Sequence, residues 1–470
     1  MSREQAMAAA ARHFDDGGFL ADLARRVAIR TESQNPDRRA ALYEYLEREI
    51  GPSLAKLGYV WRVVDNPKPE FGPFLIAERM EGEGLPSVLT YGHGDVIRGQ
   101  DASWRKGLSP WSLVQEGERI YGRGTADNKG QHSINMAALA AVIGVRGRLG
   151  FNSRILIETG EETGSAGLRE VCQAEHAALK ADVLIGSDGP RVKRERPCLF
   201  MGTRGTLNFD LGLTLREGGH HSGNWGGLLA NPGIILAHAI ASIVSARGEI
   251  LIPELKPKAI PNSVRHALRD IELDGGAGAP AIDPEWGERG LTPVERVFAW
   301  NTFEVLAYRT GDPDRPVNAV PAKAAAHCQI RYTVDTDPAQ FLPAIRRHLD
   351  AHGFGAVEVA PSRDTMFVAT RLDPDHPYAR WAARSLAASA GRAPDVIPNL
   401  GGSLPNDVFT DVLGLPTLWV PHSYSSCSQH APNEHLLAPL VREGLQLMAG
   451  LFWDVGEGGL PKLAPAKGQA

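Results

Sequence analysis

The chain has little cysteine and no long apolar run near its first residue. It contains 4 cysteines in 470 residues, and no two of them form a CxxC pair. Neither a disulfide framework nor a thiolate zinc site is therefore indicated, and we expect a reducing, cytoplasmic compartment. The first 18 residues carry acids early and lack an apolar segment. We therefore expect neither a signal peptide nor a membrane span there.

Positive charge is not in excess either. Lys and Arg number 50 against 55 Asp and Glu, which gives a formal net charge of -5. Nucleic acids and anionic membranes are bound by concentrated basic surfaces, so we expect neither as a partner and favour a small molecule. At 470 residues and 43% hydrophobic composition, the chain is too long for one ordinary core and predicts two domains.

Apolar runs alternate with segments of helical spacing in the first 200 residues. Strands are predicted at 60–64, 74–78, 87–91, 154–158 and 181–185. Helices are predicted at 5–30, 38–57 and 131–145. This alternation predicts an α/β catalytic domain, with a twisted mixed sheet between helices.

The pattern changes near residue 205. Alternating strands and amphipathic helices are predicted at 206–215, 322–335, 232–246 and 338–352. They indicate a separate α+β module inserted into the first domain, whose pattern resumes near the C-terminus. The predicted parts are the catalytic domain at 1–203 and 366–470 and the inserted module at 204–365. We interpret the Pro- and Gly-rich stretch 253–314 as an elaboration of this module.

Acidic residues follow several of the apolar runs. SVLTYGHGD, RILIETGEE and DVLIGSDG each change from apolar to polar with a carboxylate. Ligands of such sheets bind beyond the carboxyl ends of the strands, so these carboxylates should meet. The glycine-flanked turn YGRGTADNKGQ presents Asp127 before a predicted helix. We interpret Asp127 as the carboxylate that two metal ions share.

Each of these residues also has an ordinary structural explanation. Asp127 is typical of a helix N-cap and Asp188 of a turn. His93 and Asp95 are two apart on a strand and point to the same side, which is typical of a simple hydrogen-bonded pair. The same spacing lets Asp95 hold the imidazole of His93 in the tautomer that binds metal.

Adjacent glutamates are usually a solvated surface pair. In an extended segment, however, Glu161 and Glu162 would point in different directions. One of them could then bind metal while the other faces the water to be activated. The count of ligands requires one more histidine, and His430 competes for this role with His422 and His435.

The charges of this set suit two divalent ions. Three carboxylates and a hydroxide would balance four positive charges, with the carboxylates supplied by Asp127, Glu162 and Asp188. Mixed oxygen and nitrogen ligands suit zinc, manganese or cobalt. We expect two such ions per subunit, with zinc as the first choice.

These segments resemble the dinuclear metallopeptidases that include carnosinase, carboxypeptidase G, aminoacylase and succinyl-diaminopimelate desuccinylase. The resemblance covers nearly the whole chain and rests on HGD, GRGTADNKG, ETGEETGS, GSDG and QHAPNE, in this order. It implies that Asp127 bridges the metals. It also implies that His93 and Asp188 complete one metal site and that Glu162 and His430 complete the other.

The resemblance further implies that Glu161 is the general base. It would take a proton from the water that bridges the metals, and this water would attack an amide carbonyl polarised by metal. Glu161 would then protonate the leaving amine. Gly94, where many members of the family carry a larger side chain, predicts a wider pocket.

By the same resemblance, the inserted module is a ferredoxin-like lid and dimerisation domain of a homodimer. His221 in GGHHSGNWGG matches the histidine that stabilises the tetrahedral oxyanion, commonly supplied by the partner subunit, and His220 ranks second. Asn318 matches an asparagine that helps hold the oxyanion. Arg331 matches an arginine that binds the substrate carboxylate, a task suited to the planar guanidinium.

The GGSLP segment at 401–405 resembles the carnosinase branch, in which Gly402 and Ser403 also receive the terminal carboxylate. We therefore predict a hydrolase that cleaves an amide or peptide bond in a small substrate with a free carboxylate, of dipeptidase or carboxypeptidase type. An N-acyl amino acid deacylase or an aryl-amine aminohydrolase is the alternative on the same site.

Other function classes lack their motifs. Gly122 and Gly124 resemble the start of a dinucleotide fingerprint, but Asp127 replaces its third glycine. No serine lies in Gly-x-Ser-x-Gly, and HExxH is absent. A non-enzymatic binding module is disfavoured because every expected ligand and the base are present.

Overall fold

The computed structural model describes residues 1–273, 280–362 and 367–463. The predicted boundary between residues 365 and 366 lies outside these ranges, as do residues 464–470. Among the residues described, no helix combines the length and the apolar content needed to cross a bilayer.

The helices follow one another in chain order. They are α1 (Arg3–Asp15), α2 (Gly18–Ala28), α3 (Arg39–Glu44), α4 (Gly51–Ala55), α5 (Lys129–Arg146), α6 (Leu168–Ala174), α7 (His176–Leu179), α8 (Ser222–Trp225), α9 (Pro232–Ile243), α10 (Asn262–Leu268), α11 (Pro293–Phe298), α12 (Phe341–Ala351), α13 (Pro377–Ala390) and α14 (Ala438–Gly456). A π-helical segment, Tyr45–Ile50, joins α3 to α4.

The strands are mostly short. They are β1 (Val60–Val64), β2 (Phe74–Arg79), β3 (Ser87–His93), β4 (Val114–Glu116), β5 (Arg119–Tyr121), β6 (Asn152–Glu158), β7 (Val183–Gly186), β8 (Pro190–Arg191), β9 (Cys198–Phe200), β10 (Gly205–Thr214), β11 (His220–His221), β12 (Thr302–Thr310), β13 (Ala319–Val320), β14 (Lys323–Tyr332), β15 (Glu358–Pro361), β16 (Asp395–Ile397), β17 (Thr417–Trp419), β18 (Ser423–Tyr424) and β19 (His435–Leu437).

The large sheet has the order β1-β2-β6-β3-β7-β17-β9-β16. Its centre is parallel: β3 pairs with β6 and β7, and β17 pairs with β7. At one edge, β2 and β1 extend the sheet as antiparallel strands. Alternate side chains enter different cores: Ile155 and Ile157 pack with α1, α5 and α14, whereas Leu156 packs on the opposite face. The predicted α/β fold with a mixed sheet is confirmed.

The inserted module contains an antiparallel sheet of order β12-β14-β10-β15. Every second residue of β10, from Leu207 to Leu213, packs into a core with α9 and α12. The opposite face carries polar residues such as Asn208 and Gln329, which hydrogen-bond to each other. This alternation produces an α+β module with one covered face and one polar face.

Helices α10 and α11 lie in the stretch that we interpreted as an elaboration of the inserted module. Their apolar side chains, including Val264 and Phe298, pack in the same core as Leu404 and Trp419 of the large sheet and its loops. Helix α11 is thereby placed beside the GGSLP segment. The domain divisions at 203/204 and 365/366 stay predictions.

Candidate active site

The carboxyl ends of three neighbouring parallel strands meet at one edge of the large sheet. Strand β3 ends at His93 and lies between β6 and β7. The turn Glu161–Thr163 follows β6, and Asp188 follows β7. Parallel neighbours therefore bring together side chains that are far apart in the sequence.

Asp127 lies at the centre of this group, just before α5. Its Oδ1 is 2.9 Å from His93 Nε2, and its Oδ2 is 3.1 Å from His430 Nε2. His430 Nε2 is also 3.0 Å from Glu162 Oε2, and His93 Nε2 is 3.7 Å from Asp188 Oδ2. Each oxygen of Asp127 thus faces a different histidine, the arrangement that a bridging carboxylate requires.

The donor set fits two divalent cations. One group of potential ligand atoms comes from His93, Asp127 and Asp188 and the other from Asp127, Glu162 and His430, each with its atoms within 4.8 Å of one another. Asp188 Oδ2 is buried and has no hydrogen-bond partner within the described ranges. A buried carboxylate oxygen without a donor is costly, and a cation would satisfy it.

The carboxyl groups of the site repel one another in a buried environment. Burial and the neighbouring Asp127 raise the pKa of Glu162 to about 7 and that of Asp188 to about 6. Burial also raises the pKa of Glu161 well above its ordinary value. Negative charge is therefore in excess here, and divalent cations would offset it.

The pKa values of the two histidines are also raised, which favours their positively charged form beside the carboxylates. Burial lowers the pKa of His93, but its hydrogen bonds to Asp127 and Asp95 outweigh burial and raise the pKa well above its usual value. Hydrogen bonds to Asp127 and Glu162 raise the pKa of His430 to about 11. Because metal ligands must be deprotonated, metal binding at these Nε2 atoms would release protons.

Asp95 holds both the histidine and the glutamate turn. Its backbone oxygen lies 3.2 Å and its Oδ1 3.5 Å from His93 Nδ1. The two carboxylate oxygens accept hydrogen bonds from the backbone N–H groups of Glu161, at 3.2 Å, and Glu162, at 3.1 Å. The side chain therefore orients the glutamate turn at least as directly as it orients His93.

The expectation of an extended Glu161-Glu162 segment is wrong, because Glu161–Thr163 is a 3₁₀ turn. The side chains still diverge. Glu162 reaches His430, whereas Glu161 lines the cavity together with Asp127 and Asp188. The 3₁₀ turn thus separates a candidate ligand from a candidate base.

The structure distinguishes the three histidines that compete for the last ligand position. His422 is buried, with Nε2 3.1 Å from Ser187 Oγ, and His435 lies 2.6 Å from the Tyr424 hydroxyl. Of these three histidines, only His430 belongs to a group of potential metal ligands within the described ranges. Its φ of 58° is rare for a residue with a side chain, and such strain concentrates at functional sites.

Glu434 is a positioning residue that the sequence pattern did not single out. Its buried carboxylate accepts hydrogen bonds from the backbone N–H groups of Gly124, Ala126 and Asp127 at 3.0, 2.9 and 3.1 Å. It also pairs with Arg123 at 2.8 Å. The acid at the end of QHAPNE was the available signal, but its target lies more than 300 residues upstream.

A cavity of about 890 Å³ extends from the candidate metal ligands to the GGSLP segment. Gly402 and Ser403 line it. Arg331 Nη1 donates a hydrogen bond of 3.0 Å to Ser403 Oγ. The structure therefore brings Arg331, on a strand of the inserted module, to the segment with which the resemblance grouped it.

Arg204 was also not singled out, although it is nearly buried beside the same segment. Its Nε donates to the Gly401 carbonyl at 2.9 Å, and its own carbonyl accepts from Ser403 Oγ at 2.7 Å. Burial and the neighbouring charge of Arg331 lower the pKa of Arg204 to about 9. The arginine that directly precedes β10 was the signal in the sequence.

His221 and Asn318 lie together, but not at this cavity. Strand β11 pairs His221 with Ala319, and the Ser222 backbone N–H donates to the Asn318 carbonyl at 2.9 Å. His220 is the neighbour of His221 on β11 and lies beside Trp225. The His221 side chain is exposed, and neither His221 nor Asn318 is among the residues that line the cavity.

Gly94 does not face the cavity, so the predicted widening of the pocket is wrong. A Cβ at Gly94 would lie 2.5 Å from Cε1 of Tyr45. Tyr45 is buried, and its hydroxyl lies 2.7 Å from His132 Nε2. The space beside Gly94 is therefore filled by a fixed core ring.

Gly94→Ala should lower the free energy of unfolding by about 1–3 kcal/mol, because the added methyl group overpacks against Tyr45. Urea unfolding followed by circular dichroism measures this change. Gly144→Ala is the matched control, since its Cβ meets no atom within 4 Å in the interior of α5. The control should be neutral or stabilising, and an equal stability of both variants would contradict the packing explanation.

Glu434→Gln should weaken zinc binding by roughly 10–100-fold, because the amide nitrogen that replaces one carboxylate oxygen cannot accept the N–H bonds which that oxygen accepts from the turn at Asp127. Competition with a chelating dye measures the affinity. Glu457→Gln removes an exposed carboxylate that pairs with Arg146 and serves as the control. Unchanged zinc affinity in Glu434→Gln would show that the turn at Asp127 keeps its conformation without the Glu434 carboxylate.

The chain is similar to a known family and to several known proteins and structures. The family model for Peptidase family M20/M25/M40 matches residues 89–454. The Beta-Ala-His dipeptidase of Mus musculus is 24% identical over 473 residues, which cover 93% of each chain. The structure is similar to that of the di-peptidase Dug1p from Saccharomyces cerevisiae, with a TM-score of 0.78, 22% identity and coverage of 97% of this chain and 99% of the other.

The M20 family metallo-carboxypeptidase Sso-CP2 from Sulfolobus solfataricus has the same fold, with a TM-score of 0.78, 22% identity and coverage of 93% of this chain and 99% of the other. The family match includes every residue of both candidate ligand groups. The predicted resemblance and the predicted hydrolase class are confirmed. The chain belongs to the peptidase family M20/M25/M40.

Proposed function

We propose that the protein cleaves a peptide or amide bond in a small substrate with a free carboxylate, as a dinuclear metal-dependent dipeptidase or carboxypeptidase. The observation that carries this proposal is one cavity with two functional ends. Two ligand groups that share Asp127 lie at one end, and Ser403, beside Arg331, lies at the other. Relatives named dipeptidase and metallo-carboxypeptidase support it.

His93, Asp127 and Asp188 would hold one ion, and Asp127, Glu162 and His430 the other. Zinc is our first choice because its usual ligands are imidazole nitrogens and carboxylate oxygens, with manganese or cobalt as alternatives. Two divalent cations bound there would polarise the scissile carbonyl and lower the pKa of the attacking water.

Glu161 would move the proton. Its carboxyl group lines the cavity, and burial raises its pKa, which makes it a stronger base than an exposed glutamate. It would accept a proton from the water as the oxygen attacks the carbonyl carbon. The same proton would pass to the amide nitrogen as the C–N bond breaks, so that the amine leaves neutral.

The terminal carboxylate of the substrate would lie at Gly402, Ser403 and Arg331. The guanidinium of Arg331 offers paired N–H donors in one plane, which match the two oxygens of a carboxylate. An N-acyl amino acid presents the same carboxylate next to the same type of bond. Hydrolysis of acyl amino acids, measured beside that of dipeptides, separates the two substrate classes.

The enzyme would act as a homodimer through the inserted module. Because His221 is exposed and lies away from the cavity of its own chain, it would stabilise the oxyanion in the partner's site together with Asn318. A cytoplasmic location is part of the proposal. Its support is that all four cysteines are buried and unpaired.

Glu161→Gln should retain both metal ions but lower kcat by about 10²–10⁴-fold, because glutamine cannot accept the proton. Metal content by mass spectrometry and steady-state kinetics on a dipeptide test this. Glu170→Gln, an exposed glutamate that pairs with Lys68, is the control. Wild-type turnover by Glu161→Gln would remove Glu161 from the role of base.

Mixing inactive His221→Ala subunits with inactive Glu161→Gln subunits should restore about a quarter of wild-type activity, since half of randomly formed dimers are mixed and each has one complete site. Subunits are mixed under mild dissociating conditions, and activity is followed after reassociation. Each variant reassociated with itself is the control. If the mixed sample gains no activity over these controls, His221 does not act across a dimer.

A further inference from the structure

One wall of the cavity between the metal ligands and Ser403 is apolar. It is formed by Val297 and Phe298 of α11, Ile397 at the end of β16, and Leu400 and Leu404 of the loop that follows. Polar residues also line the cavity, among them Ser425, Ser426 and Gln429, which come shortly before His430 in the sequence. Arg191 also borders the cavity, but its guanidinium is buried and pairs with Glu443 at 2.6 Å.

The apolar wall directly borders the proposed carboxylate site. Leu400 and Leu404 flank the Gly401-Gly402-Ser403 loop in the sequence, and both line the cavity. Val297 packs against the same loop, since a Cβ at Gly401 would lie 2.8 Å from Val297 Cγ1. Helix α11 therefore packs against the loop beside the cavity.

In an amino acid, the carboxylate and the side chain are attached to the same Cα. A substrate whose carboxylate lies at Ser403 must therefore place the side chain of its carboxyl-terminal residue within a few ångströms of this loop. We infer that the apolar wall is the specificity site for that side chain. This inference rests on the proposed function. The geometry points to peptides that end in a large apolar residue, such as leucine or phenylalanine.

Solvation explains the selectivity. A leucine or phenylalanine side chain would be removed from water against Val297, Leu400 and Leu404, which is favourable in proportion to the apolar area buried. A lysine side chain would lose hydration without gaining a partner, because none of the five wall residues carries a charge. The competing possibility is a preference for an acidic side chain, which would pair with Arg204 beside the same loop.

Kinetics of the zinc-loaded protein on a series of Ala-X dipeptides tests the inference, with X as Gly, Ala, Leu, Phe, Lys or Glu. We expect kcat/KM for Leu and Phe to exceed that for Ala by about tenfold or more. Equal or higher values for Lys would overturn the inference, and a preference for Glu would assign the site to Arg204. Hydrolysis of none of them would refute the proposed peptidase function instead.

Measurements of binding affinity test the role of the wall independently of catalysis. Calorimetry of the same dipeptides with zinc-loaded Glu161→Gln should give the affinity order Leu above Ala above Lys, whether or not the wild-type protein hydrolyses them. Affinity that does not depend on X would overturn the inference.

Val297→Asp should abolish the preference for a large apolar side chain. We expect kcat/KM for Ala-Leu to fall by about tenfold or more relative to that for Ala-Gly, because glycine has no side chain to meet the wall. Val60→Asp, on the edge strand β1 where Val60 is 80% exposed, is the matched control and should leave the ratio unchanged.

Val297→Ala keeps the test valid if the aspartate variant does not fold. It should produce a smaller loss in the same direction, limited to large side chains. Equal losses for Ala-Leu and Ala-Gly in a folded variant would mean that Val297 only supports the loop, and would overturn the inference.

Discussion

The structure depends on bringing several buried carboxylates together at the end of one sheet. Asp127, Glu161, Glu162 and Asp188 share a small volume, and their mutual repulsion and burial raise the pKa of all except Asp127. Two hydrogen bonds from His93 and His430 outweigh burial and lower the pKa of Asp127. Such a cluster is stable only with compensating positive charge, which a pair of divalent cations would provide.

Two further acids stabilise this arrangement without being ligands. Asp95 accepts N–H bonds from the glutamate turn, and Glu434 accepts three from the turn that contains Asp127. Both buried carboxylates fix the backbone of a turn as well as contacting a side chain. The candidate ligands are therefore held by hydrogen-bonded turns, so that little rearrangement would be needed when a cation binds.

The cavity joins the two modules in function. Arg331 comes from the inserted sheet, whereas Ser403 comes from the loop after β16 in the large domain. Helix α11 lies between β10 and β12 in the sequence but packs on the large domain, where it supplies the apolar wall. A substrate held at the carboxylate site would contact both modules and the metal ligands at once.

Much of the site was predictable because its residues follow apolar strands, and parallel strands end at the same edge of a sheet. The sequence by itself determined the α/β class, the candidate ligands and the candidate base, since their residue types and order are local properties. It did not identify Glu434 or Arg204, whose partners are distant in the chain. Tertiary structure alone decided that Gly94 faces Tyr45, that His221 points away from its own cavity and that α11 borders the GGSLP loop. These facts depend on which faces pack together, and packing between distant segments is not encoded in any local pattern.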